Sequence, residues 1–334
     1  MKVAISGFGR IGKSFLKAAI KQGALGRDFD VVAINTRSAV EQHAHLFRYD
    51  SVYGRFDGKV EVKNGNLVVN GHEIRWITET DPLKLPWKEL GVDLVLESTG
   101  SFRSRADSEK HLKAGARVVL ISAPGKEVDA TIVPGVNDHL MNKTAKVYSL
   151  ASCTTNCLAP LLKVIDGKFG IEAGFMSTVH AYTNDQNIVD GSHSDLRRAR
   201  AAAINIIPTS TGAAKAVGEV LPNLAGKLDG IAFRVPVADG SINDISLLLK
   251  TEATAEEINA EFKRASNEEL KGILGYTEEE IVSSDIIGIQ LSSVVDGKLT
   301  KAKGKLVRIS AWYDNEFGYS SRLVDFVRKL AAMK

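Results

Sequence analysis

Lys2-Val3-Ala4-Ile5-Ser6-Gly7-Phe8-Gly9-Arg10-Ile11-Gly12 decides the fold of this chain. Lys2–Ser6 is a short β-rich run that breaks at Gly7, and from 11 to 22 the apolar spacing becomes helical. Gly7, Gly9 and Gly12 fit G-x-G-x-x-G in the setting the motif requires, with a strand before it and a helix after. There the glycines permit a tight turn and close backbone approach, and the helix N-terminus faces the pyrophosphate of a dinucleotide. A glycine-rich turn without a ligand is the competing reading, and the strand–turn–helix context weighs against it.

Outward from this stretch, 31–35 reads as a second strand, and 59–62 with 66–69 as a hairpin turned by Lys63-Asn64-Gly65. Buried strands follow at 92–97 and 117–121 with a helix over 104–114 between them, and 148–151 closes the sheet. That alternation belongs to a parallel α/β sheet. After Cys157 the character changes. Strands at 170–180, 230–236, 241–251 and 305–313, with helices at 213–221 and 255–266, imply a mixed, largely antiparallel sheet in an α+β domain. A last amphipathic helix, 320–332, returns to the first domain. The polar segment 182–205 is long for a loop in a compact domain, which marks it for a task.

At 334 residues the chain suits two domains, and 44% apolar with 25% charged residues is ordinary for a globular protein. A net charge of +3 is too small to argue for nucleic acid or a membrane surface. No apolar run approaches the roughly 20 residues of a membrane span. Met1-Lys2 leads straight into the first strand with no signal peptide, and two cysteines make no disulfide framework, so a cytoplasmic enzyme is expected.

Ser152-Cys153-Thr154-Thr155-Asn156-Cys157 joins an apolar run ending at Ala151 to a helix expected from about Leu158-Ala159-Pro160. A cysteine at a strand-to-helix turn meets helix N–H groups and their dipole, which favour the nucleophilic thiolate. His180, in Ser177-Thr178-Val179-His180-Ala181-Tyr182-Thr183, ends another apolar run. A cysteine and a histidine brought together by a fold activate sulfur for covalent catalysis. The plainer readings are a small buried hydrophobe, a local disulfide or a metal pair. A metal needs more ligands than the neighbouring threonines and asparagine supply, so none is expected.

The second strand ends Ile34-Asn35-Thr36-Arg37-Ser38, without the acid that binds a free ribose 2′-hydroxyl. An arginine with flanking hydroxyls is the pattern for a 2′-phosphate. A solvated surface arginine is the alternative.

With these residues in view, the chain resembles the phosphorylating glyceraldehyde-3-phosphate dehydrogenases, and among them the NADP-accepting forms. The likeness runs from Val3 to the C-terminus through the glycine turn, Ser98-Thr99-Gly100, Ser122-Ala123-Pro124, the Cys153 motif, His180 to Thr183, Ser210-Thr211-Gly212-Ala213-Ala214-Lys215, Phe233-Arg234-Val235-Pro236 and the stretch from Trp312 to Tyr319. The resemblance implies a Rossmann-type dinucleotide-binding domain (1–151 with 316–334) and a catalytic domain (152–315). It implies Cys153 as nucleophile and His180 as its acid–base partner. Ser152, Thr154, Thr183, Arg198, Thr211, Gly212 and Arg234 would hold the substrate phosphate and inorganic phosphate. The cofactor, NADP by preference or NAD, would lie against Gly7, Gly9, Arg10, Ile11, Gly12, Asn35, Thr36, Arg37, Ser98, Thr99, Gly100, Ser122, Ser192, Asn315 and Tyr319. Gly191-Ser192 is similar to the NADP-accepting forms, and segment 182–205 to the loop that reaches a neighbouring subunit's cofactor in the family's homotetramer. The implied reaction turns glyceraldehyde 3-phosphate and inorganic phosphate into 1,3-bisphosphoglycerate through a hemithioacetal and a thioester.

The chain departs from the family pattern at 237–241, Tyr53, Thr80 and Phe317. Erythrose-4-phosphate dehydrogenase shares the cysteine, the histidine and the paired arginines but tends to lack threonines matching Thr183 and Thr211. Both are present here, which favours the three-carbon substrate. A dinucleotide-binding redox sensor or scaffold without turnover is the reading from another class. It would not need the phosphate-binding residues together with His180.

Overall fold

The computed structural model describes residues 1–333, so Lys334 of the expected first domain lies outside the described residues. The chain divides into two compact units, one of 1–132, 138–151 and 320 onward, the other of 133–137 and 152–319.

Unit 1 contains β1 (Lys2–Ser6), α1 (Arg10–Lys21), β2 (Asp30–Asn35), α2 (Val40–Arg48) and the short pair β3 (Tyr49–Asp50) and β4 (Gly54–Arg55). It continues with β5 (Val60–Lys63), β6 (Asn66–Val69), β7 (His72–Ile77), α3 (Trp87–Leu90), β8 (Leu94–Glu97), α4 (Arg105–Lys113), β9 (Val118–Ile121), β10 (Ala130–Thr131) and β11 (Val147–Ser149). Its sheet runs β10-β11-β9-β8-β1-β2-β7-β6-β5. Every pairing from β10 to β7 is parallel. The β5–β6 hairpin is antiparallel, and Asn64 (φ 51°) and Gly65 (φ 75°) supply the two left-handed residues of its turn. Two expectations change. Strand β11 lies inside the sheet between β9 and β10, because the two-residue β10, too short to read from pattern, covers its edge. Helix α2 and strand β7 were not foreseen.

Unit 2 contains α5 (Cys153–Phe169), β12 (Ile171–Ala181), β13 (Ile207–Ser210), α6 (Ala213–Val220), β14 (Leu228–Val235), β15 (Ser241–Leu249) and α7 (Ala255–Asn267). It ends with β16 (Leu274–Thr277), β17 (Ser293–Asp296), β18 (Lys301–Lys303), β19 (Leu306–Tyr313) and the first turn of α8 (Phe317–Ala332). The sheet order is β13-β14-β12-β15-β19-β17-β16, with β18 on β19. The β12–β14 and β16–β17 pairs are parallel and the others antiparallel, which is the mixed sheet expected. Its core joins α5 (Leu158, Leu161, Leu162, Ile165) to inward residues of β12, β15 and β19. The remainder of α8 packs within unit 1, where Phe326 meets Tyr148 edge to face at 5.0 Å and Arg328 Nε donates to Asp28 at 2.6 Å.

Helix α5 corrects the sequence reading where it matters. It begins at Cys153, several residues before the expected start, and Pro160 stands inside it. Ser152 is the reason: its hydroxyl accepts the Thr155 N–H at 3.1 Å and caps the helix. Proline suits a first turn and so misplaces the start when read alone.

Candidate active site

The cap places Cys153 at the first position of α5, on a turn whose preceding residue, Ala151, is held at φ 52°. A side chain in that left-handed region costs about 1–2 kcal/mol, so the turn is held against strain. The half-buried Cys153 Sγ lies 3.5 Å from His180 Nε2, near the end of β12. His180 Nδ1 is 2.7 Å from Ala181 O, which can only accept. Arg234 Nη1, which can only donate, lies 2.9 Å from the same Nδ1, so the two contacts call for opposite tautomers, and Nε2 faces sulfur in either. The Tyr313 ring packs on His180 edge to face at 5.9 Å.

Burial pushes the Cys153 thiol up, a cost that the sequence alone does not carry. The Arg234 guanidinium and hydrogen bonds from the Thr154 hydroxyl and N–H pull it back. Burial, with Arg234 second, lowers His180 to about 3. Both groups are thus held toward their uncharged forms, opposed by the N-terminal field of α5 at the sulfur. Cys157 is different. It is fully buried, its thiol is pushed up by burial, and its Sγ faces Ala311 O at 3.9 Å.

Arg234 on β14 reaches the same point, because β12 and β14 pair in parallel with His180 opposite Arg234. Its Nη1 is 2.9 Å from His180 Nδ1, 3.0 Å from Ala181 O and 3.3 Å from Thr183 Oγ1. Its Nε is buried with no hydrogen-bond partner. Such a donor lacks what burial normally requires, and the guanidinium acts on the Cys153 thiol.

The other expected phosphate residues divide. Thr183 joins Arg234, while Thr211 Oγ1 accepts the Ala213 N–H at 3.2 Å beside Gly212, which caps α6. Thr154 is turned inward to the sulfur and to Tyr313 Oη at 3.0 Å, away from open space. Arg198 is already engaged: it pairs with Asp185, and its Nε donates to Thr209 Oγ1 at 2.9 Å and lies 3.7 Å from Asp195. Sequence reasoning missed Tyr313, whose hydroxyl links Thr154 to Thr178 at 2.8 Å, and Ser241. Ser241 Oγ accepts the Ala181 N–H at 3.1 Å and donates to Asn315 Oδ1 at 2.6 Å. Those links join strands far apart in sequence, and no local pattern signals them. Tyr319 is buried, and Ser192 is exposed on segment 182–206, which holds no strand or helix.

In unit 1 the three glycines serve three ends. Gly7 has φ 92°, and a Cβ there would meet Ser98 C and Thr99 N at 2.6 Å. A Cβ on Gly12 would strike Gly7 O at 2.3 Å, whereas one on Gly9 would meet nothing within 4 Å. Gly9, which caps α1, thus borders open space at a helix N-terminus, the cradle a pyrophosphate fits. Ile11 is half-buried beside it, and Arg10 pairs with Asp50 at 2.8 Å. Ser98 Oγ donates to Gly7 O at 2.6 Å, Thr99 to Glu97, and Ser122 Oγ to Glu97 O at 3.1 Å, so these three tie the sheet edge together. Gly100 is exposed at φ 75°.

The ribose end needs one correction. No acid ends β2, but Glu79 follows the neighbouring β7, and its backbone exchanges two 3.0 Å hydrogen bonds with the Asn35 amide. One oxygen of its carboxylate, Oε1, accepts the Thr80 and Asp81 N–H groups at 2.7 and 2.9 Å. Arg37 is exposed and bears no ion pair among the described residues, with Thr36 half-buried next to it.

Among the described residues, no helix is long and apolar enough to cross a membrane, and no group of three His, Cys, Asp or Glu could hold a metal. Residues 152–315 match the glyceraldehyde 3-phosphate dehydrogenase C-terminal domain, and 1–105 match the NAD binding domain of the same family. A glyceraldehyde-3-phosphate dehydrogenase of Borreliella burgdorferi is 56% identical over 339 residues, covering 99% of each chain. That of Streptomyces coelicolor is 54% identical over 97% of each chain, and that of Geobacillus stearothermophilus 54% identical over 99% of this chain and 98% of its own. With Cys153 against His180 in one unit, a glycine turn at a helix N-terminus in the other and relatives matching from end to end, the chain belongs to the glyceraldehyde-3-phosphate dehydrogenase family.

Proposed function

We propose that the protein oxidises glyceraldehyde 3-phosphate with inorganic phosphate to 1,3-bisphosphoglycerate, reversibly, through Cys153. The observation that carries this reading is the Cys153–His180 pair at 3.5 Å with the unpaired Nε of Arg234 beside it. His180 Nε2 takes the thiol proton as sulfur adds to the aldehyde carbon and passes it to the carbonyl oxygen, which becomes the hydroxyl of a hemithioacetal. His180 then withdraws that hydroxyl proton, the C=O bond re-forms, and hydride leaves the carbon. A bound nicotinamide ring would supply the acceptor for the hydride. The remaining thioester keeps the energy of oxidation until an oxygen of inorganic phosphate attacks its carbonyl carbon. The C–S bond breaks, the sulfur leaves as thiolate, and the product is the acyl phosphate.

Arg234 with Thr183, and Thr211 with Gly212 at the start of α6, bind the two phosphate groups. Arg198 joins them by exchanging Asp185 for phosphate. Ser152 caps α5 and Thr154 steadies the sulfur, so both act on the nucleophile. Asn315 and Tyr319 would help to hold the nicotinamide. The test is direct: protein, aldehyde, phosphate and dinucleotide are mixed and reduced nicotinamide is followed by absorbance. Turnover of erythrose 4-phosphate in preference, or none without substitution of any residue, would overturn the reading.

We further propose NADP as the preferred cofactor, with NAD accepted, and Thr36, Arg37 and Ser192 receiving the 2′-phosphate. The support is an exposed Arg37 without an ion pair among the described residues and a strand β2 without an acid. One charge-assisted hydrogen bond is worth about 1.5–3 kcal/mol, or roughly ten- to a hundredfold in preference. Thr36→Asp is expected to raise kcat/KM for NAD and lower it for NADP by that factor. Wild-type protein that uses NAD at least as well, unaffected by Arg37→Ala, would remove the 2′-phosphate pocket from the account.

Assembly as a homotetramer is part of the same proposal. Ile188, Val189, Leu196, Ile204 and Ile206, all on segment 182–206, are 69–84% exposed, an apolar surface that a lone subunit would not present to water. In the assembly Ser192 would reach a neighbouring subunit's cofactor. A monomer mass by sedimentation equilibrium at micromolar concentration would exclude it.

A further inference from the structure

Trp87, Glu97 and His111 form a buried polar chain in unit 1 that the reaction above does not use. Trp87 and His111 are 0% exposed and Glu97 2%. The Trp87 Nε1–H donates to His111 Nδ1 at 3.1 Å, and His111 Nε2 lies 3.1 Å from Glu97 Oε2. An indole can only donate. His111 Nδ1 therefore accepts, its proton sits on Nε2, and that proton goes to Glu97. The second carboxylate oxygen, Oε1, accepts the Thr99 N–H at 2.8 Å and the Thr99 hydroxyl. The same hydroxyl oxygen accepts the Ser101 N–H at 3.1 Å, fixing the loop on both sides of Gly100. Donation thus converges on Glu97 from both sides, and among side chains of its size only a carboxylate accepts on every face.

Position gives the chain its consequence. Glu97 is the last residue of β8, on the carboxyl edge where open α/β sheets bind ligands. The adjoining Ser98 Oγ donates to Gly7 O, and the backbone of Ser98 and Thr99 occupies the space that a Gly7 side chain would need. A displaced Thr99 therefore displaces the glycine turn.

We propose that Glu97 is a positioning residue for the dinucleotide: held from behind by His111 and Trp87, its carboxylate fixes the Ser98-Thr99-Gly100 loop against the glycine turn. This rests on the reading that this loop and turn take the dinucleotide. An isosteric amide cannot replace the carboxylate. With its NH₂ toward His111, Glu97→Gln forces the imidazole proton onto Nδ1, where it opposes the Trp87 N–H. With its NH₂ toward Thr99, it opposes the Thr99 N–H instead. Either way two donors face each other in a buried site.

The experiment measures dinucleotide Kd by calorimetry on the full chain, with KM for aldehyde and phosphate alongside. Glu97→Gln is expected to weaken dinucleotide binding about tenfold, more than it changes either substrate KM. Adding Trp87→Phe removes the opposing N–H, lets His111 change tautomer, and should recover part of that loss although it truncates a core side chain. A Kd within about twofold of wild type in Glu97→Gln, or no recovery in the double variant, would overturn the proposal. Should Glu97→Gln fail to fold, Glu97→Asp keeps the charge and draws it back by one methylene. It is expected to weaken binding by about fivefold, and an unchanged Kd would overturn the proposal equally. Wild-type protein that binds neither NAD nor NADP would overturn the reading of the loop itself, and this inference with it.

Discussion

Cys153→Ser is expected to lower kcat by at least about a thousandfold while dinucleotide affinity and thermal stability stay near those of the wild type. The substitution changes one atom, so packing at the first turn of α5 is nearly conserved. What is lost is ionisation. A serine hydroxyl is far less acidic than a thiol and has no accessible alkoxide near neutral pH. The serine ester that would follow is also less reactive toward phosphate than a thioester. Iodoacetate should inactivate the wild type by alkylating Cys153 and leave Cys157 unmodified, since Cys157 is fully buried with its thiol pushed up by burial. Peptide mapping of inactivated protein that finds carboxymethyl on Cys157 and a free Cys153 would reverse the assignment.

The parts of this fold that were legible in the sequence are those whose physics is local. The Gly7-Phe8-Gly9-Arg10-Ile11-Gly12 turn was readable because the roles of its glycines depend on a strand and a helix within a few residues. The Lys63-Asn64-Gly65 hairpin was readable because left-handed φ values restrict the choice of residue. The start of α5 was misread because Pro160 is a strong local mark for a first turn, while the stronger determinant was the Ser152 cap. The Tyr313–Thr154–Thr178 and Ser241–Asn315 links were not legible at all. They arise from the register of β12, β15 and β19, which is fixed by which faces are buried and leaves no local trace. The Glu79 carboxylate was missed for the same reason, since only the parallel pairing of β2 with β7 brings its backbone to Asn35.

Register also separates the two arginines, and the second large effect follows from it. Arg234→Leu is expected to lower kcat/KM for aldehyde and for phosphate by about a hundred- to a thousandfold, with dinucleotide Kd within about twofold. Parallel pairing sets Arg234 opposite His180, and among the described residues no carboxylate forms an ion pair with it. Its buried Nε has no partner, so its donors are available for an anion. Arg198 shares its charge with Asp185 already, and Arg198→Leu should cost less. Arg234 also lowers the basicity of His180, after burial. Its removal should therefore raise the His180 pKa, and the acid limb of the pH–rate profile should move to higher pH. Arg234→Lys, which keeps a point charge without the two-pronged donor geometry, is expected to fall between the wild type and the leucine variant. A leucine variant that melts early and loses dinucleotide affinity, with substrate KM values unchanged in the fraction still folded, would make Arg234 a structural residue.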